Sequence, residues 1–145
     1  MSRVHWDSKN YVASIEEKLD NGQTIELSMS EWDWNDDTVY FNTCLSLYSK
    51  RKQIKENESE VRTTGKDTFL TTWRWTKQAF FELEKWILER FGYVNIVIYV
   101  NWADNRRRDI YYHFLSRHGY QYGRDLDGHK VIYKKVKMNG ETRYL

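Results

Sequence analysis

The chain has 145 residues, a length that fits one domain and hardly two. Its formal net charge is only +2 although 30% of its residues are charged, which argues against a protein built mainly to coat nucleic acid. No apolar run approaches the roughly 18 residues of a membrane-crossing helix, a single cysteine excludes an internal disulfide, and one cysteine with four scattered histidines gives no zinc spacing.

The opening MSRVHWDSKN lacks the apolar segment of a secretory signal, so the expectation is a cytoplasmic protein with no membrane partner. Aromatic residues make up 17% of the chain, which predicts a core rich in rings and thin in Leu and Val. Cys44 sits in an apolar run and reads as a small buried residue rather than a nucleophile. Proline is absent, so the loops are shaped by Gly, Asn and Asp.

Residues 11–19 (YVASIEEKL) and the run QTIELSMSEW flank Asp20-Asn21-Gly22. Asn-Gly between two extended runs predicts a β-hairpin, because both turn positions favour positive φ. In the second run Ile25, Leu27 and Met29 alternate with Glu26, Ser28 and Ser30, the pattern of a half-buried strand. Residues 33–37 (DWNDD) read as a second turn and 38–50 (TVYFNTCLSLYSK) as a third strand, which together make an antiparallel meander. The polar stretch 50–60 (KRKQIKENESE) reads as a solvated loop or short exposed helix.

Phe69, Trp73, Phe80, Leu83, Trp86, Ile87 and Phe91 recur at helical spacing and predict the longest helix over about residues 68–91. Asp67 or Thr68 is placed to cap its start, and Gly92 stands where a left-handed C-terminal residue belongs. Residues 94–100 then run almost without a polar break, which suits a strand buried on both faces and therefore interior. Residues 105–118 read as a second helix with Ile110, Phe114 and Leu115 inward, closed by Gly119. Gln121-Tyr122, a turn through Asp125-Leu126-Asp127-Gly128, and HKVIYKKVK form a final hairpin, and MNGETRYL is a frayed tail or edge extension. The order is β-β-β-α-β-α-β-β, an α+β chain with a mixed, mostly antiparallel sheet, a long central helix and no internal domain boundary.

Two stretches bear chemistry. Arg62-Thr63-Thr64-Gly65-Lys66-Asp67 precedes the long helix, where free backbone N–H groups and the positive end of the helix dipole favour an anion. An ordinary helix start with a turn glycine explains the same residues on local grounds. On the second helix Arg108, Tyr111, Tyr112 and Leu115 lie three or four apart in overlapping pairs. A phenol held near a leaving group can act as a general acid, whereas two rings filling a core need no chemistry. Three arginines at 106–108 sit at a helix start where cations are mildly unfavourable, which favours a bound anion there.

Taken together, RTTGKD, the interior run VNIVIYV and the tyrosine helix ending in R-H-G-Y resemble the GNAT superfamily of acyl-CoA-dependent N-acyltransferases over residues 61–136. The resemblance implies one GNAT-like acyltransferase domain over residues 1–145 that uses acetyl-CoA. It implies that Arg62, Thr63, Thr64, Gly65, Lys66 and Asp67 hold the coenzyme's diphosphate, with Val100, Asn105 and Arg108 completing the cofactor set. The interior strand would splay from its neighbour to admit the pantetheine arm. Tyr112, or Tyr111 in another register, would protonate the departing thiolate, and Glu31, with Glu26 and Asp33 as further candidates, would deprotonate the amine. The shape is similar to short acetyltransferase-like proteins of bacteria and their phages. Departures from the family pattern are Asp67 in place of a second loop glycine, a second helix about three residues longer than usual, and an Asn-Gly hairpin where a helix pair normally shapes the acceptor site. Those departures, with the aromatics Trp6, Trp32, Trp34, Trp73, Trp75 and Trp102, motivate an alternative: a non-catalytic binding factor on the same fold, such as a phage protein that blocks a host protein. Nucleic-acid binding through Arg106, Arg107, Arg108, Tyr111 and Trp102 ranks last because of the near-neutral charge. The acceptor, small molecule or protein, and a monomeric or homodimeric state are left open.

Overall fold

The computed structural model describes residues 3–19, 22–48, 68–101 and 105–137. In chain order these form β1 (His5–Asp7), β2 (Val12–Lys18), β3 (Thr24–Asn35), β4 (Thr38–Tyr48), α1 (Thr68–Phe91), β5 (Asn95–Val100), α2 (Asn105–Leu115) running into a 3-10 turn (Ser116–His118), β6 (Gln121–Arg124) and β7 (Lys130–Lys137). Among the described residues the seven strands make one open sheet in the order β1-β2-β3-β4-β5-β7-β6. The β4–β5 pair is parallel and the other five pairs are antiparallel, so the chain is a mixed α+β protein with a mostly antiparallel sheet.

The meander follows from strand parity. Ala13 and Ile15, then Ile25, Leu27 and Met29, then Val39 and Phe41, are fully or almost fully buried, while the residues between them face the other side of the sheet. Two features differ from the expected boundaries. A short edge strand, β1, precedes the hairpin, and β3 continues through Asp33-Trp34-Asn35 instead of turning there. A bulge between Glu31 and Asp33 absorbs Trp32 and shifts the pairing, so a run that is polar in sequence remains paired, with Asp33 opposite Tyr40 and Asn35 opposite Thr38. The turn is only Asp36-Asp37, with Asp36 at φ 53, a left-handed position that Asp tolerates.

Helix α1 spans 24 residues and buries Thr76, Ala79, Phe80, Leu83 and Ile87 in a stripe at three- and four-residue spacing. Arg3 makes a two-pronged hydrogen bond to Glu82 of α1 (3.1 and 3.0 Å), and Arg90 stacks over the rings of Trp6 and Trp86 (4.8 and 5.4 Å), so the N-terminal edge is fastened to this helix. Gly92 does not adopt the left-handed conformation expected of it. Its requirement is space: a Cβ there would lie 2.6 Å from the Leu88 carbonyl oxygen. Gly119, after the 3-10 turn, is the left-handed residue at φ 87.

All six residues of β5 are buried, as a contiguous apolar run predicts for a strand covered on both faces. It is paired along its whole length with residues 38–43 of β4 and, from residue 96, with β7. The separation from a neighbour that the family resemblance implied is therefore not found within β5, because ladder bonds on both sides hold it. The start of the parallel pair is clipped by Asn95. Its N–H donates to the Asp37 carbonyl (2.8 Å), and its amide nitrogen donates to the Asp37 carboxylate (3.1 Å) and the Thr38 hydroxyl (3.4 Å).

Both helices pack on one face of the sheet. Strands supply aliphatic side chains to this core and helices supply rings, Trp73, Trp75, Phe80 and Phe91 from α1 and Tyr111 from α2. The expectation of a core thin in aliphatics therefore holds for the helices alone. On the opposite face Val97, Tyr99 and Val131 form a second cluster covered by Tyr40 and Tyr133. Cys44 is exposed rather than buried, since strand parity groups it with Asn42 and Ser46, and its sulfur lies 3.6 Å from the Ser46 hydroxyl. No helix among the described residues is long and apolar enough to cross a membrane.

Candidate functional site

Strand β5 ends at Val100, but β4 continues through residues 44–48. The floor of the sheet is thus uneven where the parallel pair ends, and a cleft of about 260 Å³ opens there. Leu27, Thr43, Leu45 and Val100 line it from the strands, Thr76 and Phe80 from α1, and Tyr111 and Leu115 from α2. Asn101 stands at the mouth, its amide nitrogen bonded to the Asn42 side-chain oxygen (2.6 Å). Thr43 is 6% exposed, and its Oγ1 has no hydrogen-bond partner among the described residues, a condition it shares with Trp75 Nε1.

A second cavity of about 350 Å³ shares Thr76, Phe80 and Leu115 with the first. It continues between the helices past Trp73, Phe81 and Phe114 to Glu84, His118 and Tyr120. There the buried Tyr120 hydroxyl donates to Glu84 Oε1 (2.5 Å) and Lys134 Nζ donates to Glu84 Oε2 (3.0 Å). Burial, and then the Glu84 charge, pushes the Tyr120 phenol well above its ordinary pKa. Burial, and then Lys77 and Lys134, pulls the His118 imidazole down.

A scan against protein-family models, a search of curated proteins and a search of solved structures each return no match.

The structure brings Val100 and Tyr111 together in the cleft. Tyr111 meets Trp73 edge-on (5.4 Å between ring centres). Tyr112, on the adjacent face of α2, stacks flat on Tyr122 (4.2 Å, 12°) and does not line the cleft. Arg108 is paired with Asp109 (2.9 Å) and sits beside the Tyr122 phenol. Glu31 lies opposite Phe41, toward the Asp36-Asp37 turn, and accepts the Trp34 indole N–H (2.5 Å). Glu26 and Asp33 are likewise outside the lining, Asp33 bonding the Trp34 amide (2.8 Å). Asn105 begins α2. Arg62, Thr63, Thr64, Gly65, Lys66 and Asp67 lie outside the described residues, as does Trp102. Trp73 and Trp75, counted among the available surface rings, are buried at 8% and 6% exposure because they fall on the core side of α1.

The residues that sequence reasoning missed are Thr43 and Thr76. A signal existed for the first: Thr43 shares strand parity with Phe41 and Leu45, so a hydroxyl was due on the core side. At the distal turn, possible ligand atoms of Asp125, Asp127 and His129 come within 4.8 Å of one another. The Asp125 carboxylate is engaged there with the amides of Asp127 and His129 (both 2.9 Å), which accounts for the cluster as turn structure.

Proposed function

We propose that the cleft at the end of the β4–β5 pair receives the thioester arm of an acyl-CoA, and that the chain is an acyl-CoA-dependent N-acetyltransferase of the kind the GNAT resemblance implies. The observation that carries this reading is the position of the cleft. It opens at the carboxyl ends of the parallel strands, where open sheets gather ligands, and a tyrosine reaches it from the following helix. The apolar lining suits an uncharged alkyl and amide chain.

In this reading the amine nitrogen attacks the acetyl carbonyl carbon, the carbon–sulfur bond breaks, and the thiolate takes a proton from the phenol of Tyr111, whose ring lines the cleft. Tyr111 replaces Tyr112 in that role because Tyr112 is committed to Tyr122. No carboxylate lines the cleft among the described residues, so the amine arrives as the free base and its proton passes to water. Isothermal titration of the whole chain with acetyl-CoA tests the reading: saturable heat and a raised melting midpoint are expected. Neither effect at millimolar ligand would refute it. Given binding, Tyr111→Phe should lower kcat about 100-fold, the scale of one general acid.

A second reading, a non-catalytic binding factor, draws on the sheet face opposite the helices, where Trp32 is 38% exposed beside Tyr99 and Tyr40. It predicts that Tyr111→Phe together with Tyr112→Phe leaves biological activity intact.

A further inference from the structure

We infer that Thr43 is a positioning residue for the ligand of this cleft, its Oγ1 exchanging a hydrogen bond with an amide group of the bound acyl-thioester arm. The inference rests on the acyl-CoA reading of the cleft and deepens it.

The argument begins with what the position demands of the fold. Thr43 sits in β4 between Met29 of β3 and Val100 of β5, on the same face as Phe41 and Leu45. Every requirement there is met by a β-branched apolar residue: strand conformation, close packing and burial. Valine has the same shape and carries no polar atom. The hydroxyl is therefore surplus to folding, and worse than surplus, because a buried donor and acceptor without a partner destabilises the folded state. Such a group is retained at a cleft wall where something outside the fold completes it.

The chemistry of that missing partner follows from the surroundings. A hydroxyl both donates and accepts, so it matches either an amide N–H or a carbonyl oxygen. Leu27, Leu45, Phe80, Val100 and Leu115 offer nothing to a charge, which excludes a diphosphate or a carboxylate at this depth. A neutral, extended chain punctuated by amides fits, and the arm of an acyl-CoA has that constitution. Thr43 lies at the level of the last paired residue of β5, which fixes how deep such a chain runs before it meets Tyr111.

The experiment compares the wild type with Thr43→Val and Thr43→Ser, each as the full chain, by thermal melting and by titration with acetyl-CoA. Thr43→Val should melt at or above the wild-type midpoint and bind acetyl-CoA about tenfold more weakly, the scale of one hydrogen bond. Thr43→Ser should restore binding to within about twofold because it keeps the hydroxyl. A lower midpoint for Thr43→Val would show that the hydroxyl serves the fold and would overturn the inference. So would unchanged affinity in Thr43→Val, or equal weakening by both substitutions, which would point to shape alone. If the wild type itself does not bind acetyl-CoA, the functional reading fails first and takes this one with it, whereas wild-type binding that is indifferent to Thr43→Val removes only the role of Thr43.

Discussion

The two faces of the sheet solve the same burial problem in different ways. On one, Ile25, Leu27, Phe41, Ile96 and Ile98 are shut away by helices that bring their own rings, so coverage comes from a second layer. On the other, no helix residue among the described ones joins the cluster. Strand residues cover strand residues there: Tyr40 lies parallel to Tyr99 (5.7 Å, 11°), Trp32 meets Tyr99 edge-on (5.8 Å), and Val131 is fully buried beneath its neighbours. A sheet can thus protect a small apolar centre with wide side chains alone, at the price of leaving those rings half-exposed to whatever approaches.

The contrast can be broken most sharply with matched substitutions on adjacent residues of β4. Phe41→Ala opens a hole under α1 and should destabilise the protein by about 3–5 kcal/mol, read from the denaturant midpoint. Tyr40→Ala, one residue away on the ring-covered face, should cost only about 1–2 kcal/mol because its neighbours are partly wet already. Equal losses would mean that the two faces are equally sealed. Gly123→Ala probes how tightly the ring layer is laid. A Cβ there would fall 2.3 Å from the Tyr133 ring, so the ring must swing off, and the hydrogen bond from Gln121 to its hydroxyl (2.9 Å) is lost. The expected loss is about 1–2 kcal/mol, with a changed near-ultraviolet dichroism.

Alkaline titration sharpens the comparison without mutation. Burial, followed by the nearby Tyr40, pushes the Tyr99 phenol up to about 12. The folded value lies above the unfolded one near 10, so the stability it contributes is fully present below pH 10 and is lost as pH rises toward 12. Absorbance at the tyrosinate band should show Tyr99→Phe removing a late-titrating group, and Tyr120, raised on the helix-covered face, titrating later than the exposed tyrosines. The smallest effect is acidic. His118 has a depressed pKa, so its contribution is present above 6.5 and is lost as pH falls below that value. In His118→Gln the melting midpoint should vary less between pH 7 and 5 than in the wild type.

Much of this arrangement could be read from spacing alone. Ile25-Leu27-Met29 and the unbroken run through Val100 specified a half-buried and a doubly covered strand, and helical spacing placed α1 within its observed limits. Where reading failed, a local pattern was overruled by neighbours. Asp33-Trp34-Asn35 looks like a turn until the bulge at Trp32 carries the pairing past it, and His5–Asp7 is too short to alternate. Cys44 lay in an apolar run, yet its parity set it outside. The candidate site was legible only in part. Tyr111 and Tyr112 differ by one helical step, and nothing in the sequence states which of them meets the sheet and which meets Tyr122.

The Asn95 clip carries a consequence for specificity of alignment. Sliding β5 by two positions along β4 would return every aliphatic side chain to its own face, so greasiness alone does not choose among such slipped partners. A slipped strand would carry Asn95 away from Asp37 and Thr38, stranding its amide in a dry interior. One polar side chain therefore acts as the index mark that tells the only parallel neighbours among the described residues where to begin.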